Sequence, residues 1–234
     1  MSVKIIDVTQ RYPLQDQPLY QNFNAEFSAN KVHVILGASG TGKTTLLNII
    51  SGLCDYKGKT ECGSVSFAFQ DDRLLENITV ANNLKLILNG VYKDKKKVSE
   101  QIEKVLGIAE ILPYKDKFPY ELSGGERQRV ALARAFAYPS QTLLMDESFK
   151  SLDYGTKARL IKQFILLLDA MPRTVLFVTH DADEALSVAD EVYLLQNKPV
   201  CLTHIATLTD DKHNRDVLTA EYVQIKKNII SKLM

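Results

Sequence analysis

Residues 32–51 read VHVILGASGTGKTTLLNIIS, and they contain the clearest indication of the fold class. It opens with Val32–Leu36, a short and continuously apolar run that is typical of a strand buried inside a parallel sheet. The run ends at Gly37, a glycine-rich turn follows, and the pattern from Lys43 to Ser51 predicts a helix. A buried strand that leads through a turn into a helix predicts an α/β protein with a parallel sheet.

The turn between this strand and this helix has the composition of a phosphate-binding loop. Gly37-Ala38-Ser39-Gly40-Thr41-Gly42-Lys43-Thr44 matches the pattern GxxxxGK(S/T) at every fixed position. Glycine allows the backbone angles that turn successive N–H groups inward, and the helix start adds the positive end of its dipole. In this pattern the Lys43 ammonium reaches the β- and γ-phosphates, and the Thr44 hydroxyl is a ligand for Mg²⁺. With Thr45 added to the binding residues, the motif indicates a nucleoside triphosphate without naming a reaction.

Two acidic residues follow a second apolar strand pattern. Thr142–Met145 predicts a short buried strand, and Asp146 and Glu147 come directly after it. Because ligands of open α/β sheets bind at the carboxyl ends of the strands, Asp146 should lie beside the phosphate loop and hold Mg²⁺. Adjacent side chains at a strand end point in different directions, so Glu147 is placed to polarise a water that attacks the γ-phosphate. An acidic turn is common in proteins, and it is the phosphate loop that favours the catalytic interpretation.

The remaining pattern divides the chain into an α/β core and a helical insertion. Further strands are predicted at Val3–Val8, Ser64–Phe69, Thr174–Val178 and Val192–Leu195, and Glu26–Phe27 is predicted to close a hairpin-like region. Helices are predicted at Val80–Leu88, Lys97–Leu106, Glu126–Ala137, Lys157–Leu168, Ala182–Ala189 and Tyr222–Leu233. The helical stretch from about residue 71 to 137 interrupts the alternation, so we interpret it as a subdomain inserted between core residues 1–70 and 138–234. The basic cluster Lys93–Lys97 is interpreted as a solvated segment, with contact to a partner or to lipid head groups as the alternative.

The composition limits the kinds of partner. Hydrophobic residues form 45% of the 234 residues and the net charge is +1, so the chain lacks the overall field that attracts nucleic acid. No apolar run approaches the roughly 18 residues of a membrane-spanning helix, and the N-terminal residues lack the apolar core of a signal peptide. The scattered Cys54, Cys62 and Cys201 fit neither a disulfide framework nor a zinc site. We therefore expect a cytoplasmic protein that does not bind nucleic acid.

A second glycine-containing segment indicates a family. Leu122-Ser123-Gly124-Gly125-Glu126-Arg127-Gln128-Arg129 has the sequence of a helix start, with Ser123 as N-cap and Glu126 completing a capping box. It also resembles the LSGGQ signature of the ATP-binding-cassette (ABC) ATPases, with Glu126 in place of the common glutamine. Both interpretations agree, since Ser123, Gly124 and Gly125 at a helix N-terminus offer N–H donors, a hydroxyl and a dipole to an anion. The predicted fold is then a P-loop NTPase core of parallel strands, with a small antiparallel β-subdomain and an inserted helical subdomain.

The resemblance to ABC ATPases implies a catalytic set and a dimer. Gln70 matches the glutamine that touches Mg²⁺ and the attacking water, and His180 matches the switch histidine that contacts the γ-phosphate. These two residues join Lys43 and Glu147 as the implied catalytic residues, and Ser151-Leu152-Asp153 matches the D-loop, with Asp153 as its acidic residue. The resemblance also implies that the signature faces the γ-phosphate bound by a second subunit. Two chains would then form a homodimer around two ATP molecules.

The same resemblance leaves open which aromatic residue binds adenine and how large the β-subdomain is. Tyr12 resembles the aromatic residue that stacks on adenine, and Tyr20 or Phe23 could do this instead. Ser148 stands where proline often follows the acidic pair. The stretch between Thr45 and Gln70 is short, which predicts a trimmed β-subdomain.

Two segments resemble one group within the family. Phe149 in the segment Asp146–Asp153, together with Gln70–Leu75, is similar to the ATPases of bacterial importers for nitrate, sulfonates and taurine. This similarity implies import through a separate integral membrane permease, with an extracytoplasmic solute-binding protein in the full system and this chain at the inner face of the membrane. An exporter or lipoprotein-release ATPase is the alternative. A soluble ABC protein of translation or DNA repair is less favoured, because such proteins usually have two cassettes or a coiled-coil insertion.

The apolar pair Leu74-Leu75 follows Gln70 in an otherwise polar segment. Exposed apolar residues beside a nucleotide site are plausible anchors for an amphipathic helix. We predict that the surface around Gln70–Leu75, with part of Leu84–Lys97, receives a short helix of a membrane protein. The alternative is that both leucines pack inside the helical subdomain.

Overall fold

The computed structural model of this protein describes residues 1–13, 15–149 and 152–233. In these ranges the strands are β1 (Val3–Gln10), β2 (Tyr20–Phe27), β3 (Val32–Leu36), β4 (Lys57–Glu61), β5 (Val65–Ala68), β6 (Thr142–Asp146), β7 (Thr174–Thr179), β8 (Glu191–Gln196) and β9 (Cys201–Thr207). The helices are α1 (Lys43–Ser51), α2 (Val80–Leu88), α3 (Lys95–Ile108), α4 (Gly124–Ala137), α5 (Tyr154–Ala170), α6 (Ala182–Val188) and α7 (Ala220–Leu233), with short 3₁₀ turns at Leu112–Tyr114 and Pro119–Glu121. Lys150 and Ser151 lie outside the described residues, so the predicted D-loop is described from Leu152 onward.

The central sheet has the strand order β5-β6-β7-β3-β8-β9. β5, β6, β7, β3 and β8 pair in parallel, and β9 pairs antiparallel with β8. Every residue of β3 and β7 is buried, as expected for central strands covered on both faces. The predicted α/β fold is confirmed, and the strand order brings the carboxyl ends of β6, β7 and β3 side by side.

A smaller antiparallel sheet has the strand order β2-β1-β4. Its strand β1 buries Val3, Ile5 and Val8. These side chains belong to one apolar cluster with Leu46 of α1 and Leu176 of β7, so the small sheet packs onto the core beside α1. It is the small antiparallel β-subdomain that the fold prediction contains.

The strands that differ from the sequence prediction lie at sheet edges or in the small sheet. β4 and β9 were not predicted, and each is an edge strand that is largely exposed. Their sequences therefore lack the buried alternation that marks a strand. β2 covers Tyr20–Phe27, whereas only Glu26–Phe27 was predicted. β5 ends at Ala68, earlier than predicted, so Gln70 lies in the loop beyond it.

The helices α2, α3 and α4 all fall within residues 71–137, which we continue to propose as the helical subdomain. Leu84 of α2 and Val130 of α4 are fully buried in one apolar cluster. α3 and α4 begin slightly earlier than predicted, because the side chains of Asp94 and Ser123 cap them.

A buried arginine holds the C-terminal end of α4. Arg173 is 4% exposed and donates to the carbonyl oxygens of Phe136 and Tyr138 and to the Ser140 hydroxyl. Burial lowers the pKa of Arg173 to about 10. The carbonyl oxygens at a helix C-terminus favour a nearby cation, so these contacts fix α4 against the start of β7.

The C-terminal helix α7 packs against α6. Tyr222 and Ile229 of this helix are buried, and Lys226 forms an ion pair with Asp183 of α6 at 2.5 Å. The predicted terminal helix is thus present, beginning at Ala220. None of the described helices is both long and apolar enough to cross a membrane.

Candidate nucleotide-binding and catalytic site

The phosphate loop borders a cavity of about 410 Å³, and the loop depends on glycine for its shape. Gly42 is the N-cap of α1 and has a φ of 105°, which glycine adopts without steric cost. A Cβ on Gly37 would lie 2.8 Å from the carbonyl oxygen of Leu195, so no larger residue fits there. Of the predicted binding residues, those that line the cavity are Tyr12, Ser39, Gly40, Gly42, Lys43, Thr44 and Thr45. Gly37, Ala38 and Thr41 belong to the loop but are not among these lining residues.

The Lys43 side chain is buried and turned toward its own loop. Its ammonium donates to the carbonyl oxygens of Gly37 at 2.8 Å and Ala38 at 3.0 Å. It also lies 3.9 Å from Oε1 of Glu147. The positive charge is therefore held at the cavity wall beside an acidic residue, and a phosphate that enters must take over some of these contacts.

Thr44 and Asp146 meet where α1 begins and β6 ends. The Thr44 hydroxyl donates to Oδ1 of Asp146 over 3.2 Å. Burial raises the pKa of Asp146, the hydrogen bond from Thr44 opposes this, and the charge of Glu147 raises the pKa further. A cation at these oxygens would relieve the repulsion between the two carboxylates. Hydroxyl and carboxylate oxygens are ligands that Mg²⁺ prefers, so the residues present fit that ion.

Glu147 and His180 come together from neighbouring strand ends. Glu147 has a φ of 44°, a left-handed conformation that is uncommon outside glycine, and its N–H donates to the carbonyl of Val178 in β7. Its Oε1 lies 3.3 Å from Nδ1 of His180, which follows β7 directly. The His180 side chain is 52% exposed and that of Glu147 15%, so the imidazole is the more accessible partner of this pair. Two of the four predicted catalytic residues, Glu147 and His180, therefore lie close enough to interact directly.

Gln70 lines the same cavity from the loop after β5, and α4 holds this loop. Gln128 donates to the carbonyl oxygen of Gln70 at 3.2 Å. Arg127 donates to the carboxylate of Asp72 at 2.7 Å, and Arg134 donates to the carbonyl oxygen of Asp72 at 2.7 Å. Three side chains of α4 therefore bind the loop between Gln70 and Asp72.

Tyr12 is the aromatic residue that the cavity exposes. Its side chain is 41% exposed, and its hydroxyl lies 2.8 Å from that of Thr45. Tyr20 and Phe23 are buried, and the Tyr20 hydroxyl donates to the carbonyl of Gly42. Because those two rings are inside the small sheet, Tyr12 remains the candidate for stacking on a base.

The signature segment lies in a second cavity, of about 530 Å³. The Glu126 N–H donates to the Ser123 hydroxyl oxygen at 3.4 Å and the Ser123 N–H donates to Oε2 of Glu126 at 2.7 Å, which confirms the predicted capping box. The Ser123 hydroxyl also donates to Oε2, at 2.8 Å, so the carboxylate accepts two hydrogen bonds from Ser123. These bonds lower the pKa of Glu126 and favour its charged form. A Cβ on Gly125 would lie 2.6 Å from Cγ2 of Thr156, so glycine allows α4 to approach α5. Ser123, Gly124, Gly125, Glu126 and Asp153 line this cavity.

The two cavities are built from different parts of the chain. Among the described residues, none that lines the phosphate-loop cavity belongs to the signature segment, and none that lines the signature cavity belongs to the phosphate loop. One chain therefore does not bring its own signature onto its own phosphate loop in this structure.

Further residues line these cavities without having been singled out from the sequence. Gln15 and Lys198 line the phosphate-loop cavity, and Arg159 lines the signature cavity. Lys198 lies in the turn before β9, a strand whose sequence gave no signal. Arg129, the last residue of the quoted signature segment, lines the same cavity one helical turn beyond Gly125.

Known proteins resemble this chain over most of its length. The ABC transporter family model matches residues 20–150. The aliphatic sulfonates import ATP-binding protein SsuB 2 of Pseudomonas syringae pv. tomato is 38% identical over 186 residues, which cover 78% of each protein. The sulfate/thiosulfate import ATP-binding protein CysA of Synechocystis is 34% identical over 84% of this chain, but the chain spans only 59% of that relative. A solved structure of a dimeric ATP-binding cassette in a post-hydrolysis state, bound to ADP and Pi, is also similar, with a TM-score of 0.73 and 27% sequence identity. The matched region covers 83% of this chain and 94% of the cassette.

Proposed function

Since this chain belongs to the ABC transporter family and is an ABC-type ATPase, we propose that it powers solute import through a separate membrane permease. The proposal rests on one observation. The chain holds a phosphate loop with Glu147 and His180 nearby, and it holds a signature segment that lines a separate cavity. The matched relatives are named as import ATP-binding proteins, which supports import over export or lipoprotein release.

We assign ATP to the phosphate-loop cavity. The loop N–H groups and Lys43 contact the β- and γ-phosphates, and Tyr12 stacks on the adenine. Thr44, Asp146 and Gln70 hold Mg²⁺, which neutralises part of the phosphate charge when it is bound. The 3.2 Å contact between Thr44 and Asp146 supports this assignment, because it places two oxygen ligands together.

Hydrolysis is assigned to Glu147, with His180 beside it. Glu147 accepts a hydrogen bond from the attacking water and orients it, and His180 contacts the γ-phosphate. The 3.3 Å distance between their side chains supports a shared task at one reacting group. Asp153 and the signature residues Ser123, Gly124, Gly125 and Glu126 act on the ATP of a second subunit.

Replacing Lys43 by alanine should weaken ATP binding by about 10- to 100-fold, because a charge-assisted hydrogen bond contributes roughly 1.5–3 kcal/mol. Isothermal titration calorimetry with ATP measures this loss. Lys162→Ala, at an exposed position on α5, is the matched control and should bind like the wild type. An unchanged affinity in a folded Lys43→Ala protein would remove Lys43 from the site.

We assign the permease to a groove of about 460 Å³ beside the loop that follows Gln70. Phe67, Leu75, Leu86 and Ile87 contribute apolar surface to it. Leu75 is 45% exposed and Leu86 58% exposed, so an amphipathic helix could bury both. The prediction that Leu74 is also exposed was wrong, since it is 7% exposed and belongs to the main apolar cluster.

Replacing Leu75 by glutamate should abolish transport and leave basal ATP hydrolysis unchanged, because a charge in an apolar contact opposes docking without touching the nucleotide. The assay compares solute uptake into vesicles that contain the whole transporter with hydrolysis by the isolated subunit. Leu53→Glu is the control, since Leu53 is 63% exposed and does not line the groove. Uptake at the wild-type rate in Leu75→Glu, confirmed as folded, would exclude the groove as the docking site.

The complete system in this proposal contains further components. The chain is held at the cytoplasmic face of the cell membrane by the integral permease, and an extracytoplasmic solute-binding protein delivers the solute. A homodimer of this chain binds two ATP molecules between its subunits. The named import relatives support the permease as a partner, and the dimeric cassette supports the homodimer.

A further inference from the structure

The residues on both sides of His180 are bound into one hydrogen-bonded network. The Thr179 hydroxyl donates to the carboxylate of Glu184 at 2.7 Å, and the same hydroxyl oxygen accepts from the N–H of Asp181 at 3.1 Å. The Asp181 carboxylate caps α6 by accepting from the N–H groups of Asp183 and Glu184. The backbone that carries His180 is therefore held by the hydrogen bonds of its two neighbours, Thr179 and Asp181.

Lys157 connects this network to α5. Its ammonium lies 2.7 Å from Oε1 of Glu184 and donates to Oδ2 of Asp181 at 3.0 Å. Glu184 is 3% exposed, so this ion pair has little competition from water. Burial alone would lower the pKa of Lys157, but its hydrogen bonds to Glu184 and Asp181 raise it. One ammonium thus binds both Asp181, which follows His180 directly, and Glu184, whose carboxylate accepts from Thr179 on the other side of His180; we call residues 179–181 the His180 turn.

The other end of this connection is the start of α5. The Asp153 side chain caps α5 by accepting from the N–H of Thr156, and the N–H of Lys157 donates to the carbonyl oxygen of Asp153 at 2.9 Å. Asp153 lines the signature cavity. Lys157 therefore binds Asp153 through its backbone and the His180 turn through its side chain.

We propose that Lys157 is a positioning residue, which holds His180 against Glu147 and ties that geometry to Asp153 at the signature cavity. The inference rests on the proposed ATPase site. Without the ammonium, Asp181 and Glu184 would repel each other, and the His180 turn would lose its tie to α5. The imidazole would then leave its place 3.3 Å from Glu147, and hydrolysis would slow although no group that touches ATP has changed.

The test compares Lys157→Met, which keeps the length of the side chain but removes its charge, with Lys157→Arg, which keeps a cation. Lys157→Met should lower kcat about 10- to 100-fold, the scale of a misplaced reacting group, with an unchanged KM for ATP. Lys157→Arg should restore most of kcat. Lys162→Met, on the exposed face of α5, should hydrolyse ATP like the wild type. If the wild type and Lys162→Met both hydrolyse ATP and Lys157→Met does so equally well, the inference about Lys157 fails while the ATPase assignment stands. If the wild type itself does not hydrolyse ATP, the ATPase assignment fails.

A readout that does not depend on hydrolysis is the NMR signal of the His180 ring. The chain has four histidines, and His180→Gln assigns the resonance. In Lys157→Met the His180 signal should shift and broaden, while the signals of His204 and His213 stay in place, and Lys157→Arg should keep the wild-type signal. A Lys157→Met protein with normal kcat and an unmoved His180 signal would overturn the inference. Should Lys157→Met fail to fold, Lys157→Gln takes its place with the same expected results, and a common shift of all histidines would indicate a purely structural role and equally overturn it.

Discussion

Replacing Glu147 by glutamine should leave binding of ATP and Mg²⁺ intact and slow hydrolysis by about 10²–10⁴-fold, the usual contribution of a group that accepts or orients a proton in the transition state. The amide keeps the size of the side chain and its place near His180, but it is a far weaker acceptor for the attacking water. A steady-state ATPase assay measures the loss. The variant should also accumulate as an ATP-bound dimer, which size-exclusion chromatography detects.

The control for this experiment is Glu103→Gln, which removes an exposed carboxylate on α3. It should hydrolyse ATP like the wild type and should not accumulate as a dimer. Near wild-type turnover in Glu147→Gln would assign the water-orienting role to another group of the cavity.

Replacing Ser123 by arginine should abolish hydrolysis while the isolated subunit still binds ATP. The reason is that Ser123 lies in the signature cavity and not in the phosphate-loop cavity, so a bulky cation there obstructs only a nucleotide that a second chain presents. Loss of the N-cap would itself destabilise α4 by about 0.5–2 kcal/mol. Ser123→Asp keeps a good N-cap and places a negative charge in the same position. If both variants are equally inactive, the loss of hydrolysis comes from obstruction of the nucleotide and not from loss of the N-cap.

The same mechanism predicts how wild-type activity depends on concentration. In the proposed two-fold symmetric dimer, each phosphate loop would face the signature of the other subunit, so ATP binding and association would be linked. Specific activity should fall steeply when the protein is diluted below its dimerisation constant. Constant specific activity in a protein shown by light scattering to be monomeric with ATP bound would contradict the dimer mechanism.

The elements that could be predicted from the sequence are those whose own residues determine their structure. β3 and β6 are short apolar runs next to residues that stop a strand, and the strand-end rule placed Asp146 and Glu147 beside the phosphate loop correctly. β4 and β9 did not follow, because an exposed edge strand is specified by its neighbour in the sheet more than by its own side chains. The turn before β9, which carries Lys198 to the cavity, was missed for the same reason.

The pair Leu74-Leu75 illustrates a different limit. Two adjacent leucines are equally apolar, and the difference between them arises from the turn that precedes α2. The N–H of Leu74 donates to the Asp72 side chain, and the N–H of Leu75 donates to the side chain of Asn83. These bonds turn Leu74 into the core and Leu75 toward the groove. The network of Lys157 is similar, since it requires the packing of α5 on α6, which no local pattern contains.

The contacts between α4 and the loop after Gln70 constrain how a permease and a nucleotide can affect each other. Arg127, Gln128 and Arg134 bind this loop to the helix whose first turn is the signature. If a membrane helix occupies the groove, any preference it has for one position of the loop is also a preference for one position of the signature. ATP at the dimer interface would then change the affinity of the groove for the permease, and the permease would change the affinity of the protein for ATP. Thermodynamic reciprocity requires these two factors to be equal. Titrating each ligand in the presence of the other gives two independent measurements of a single coupling free energy.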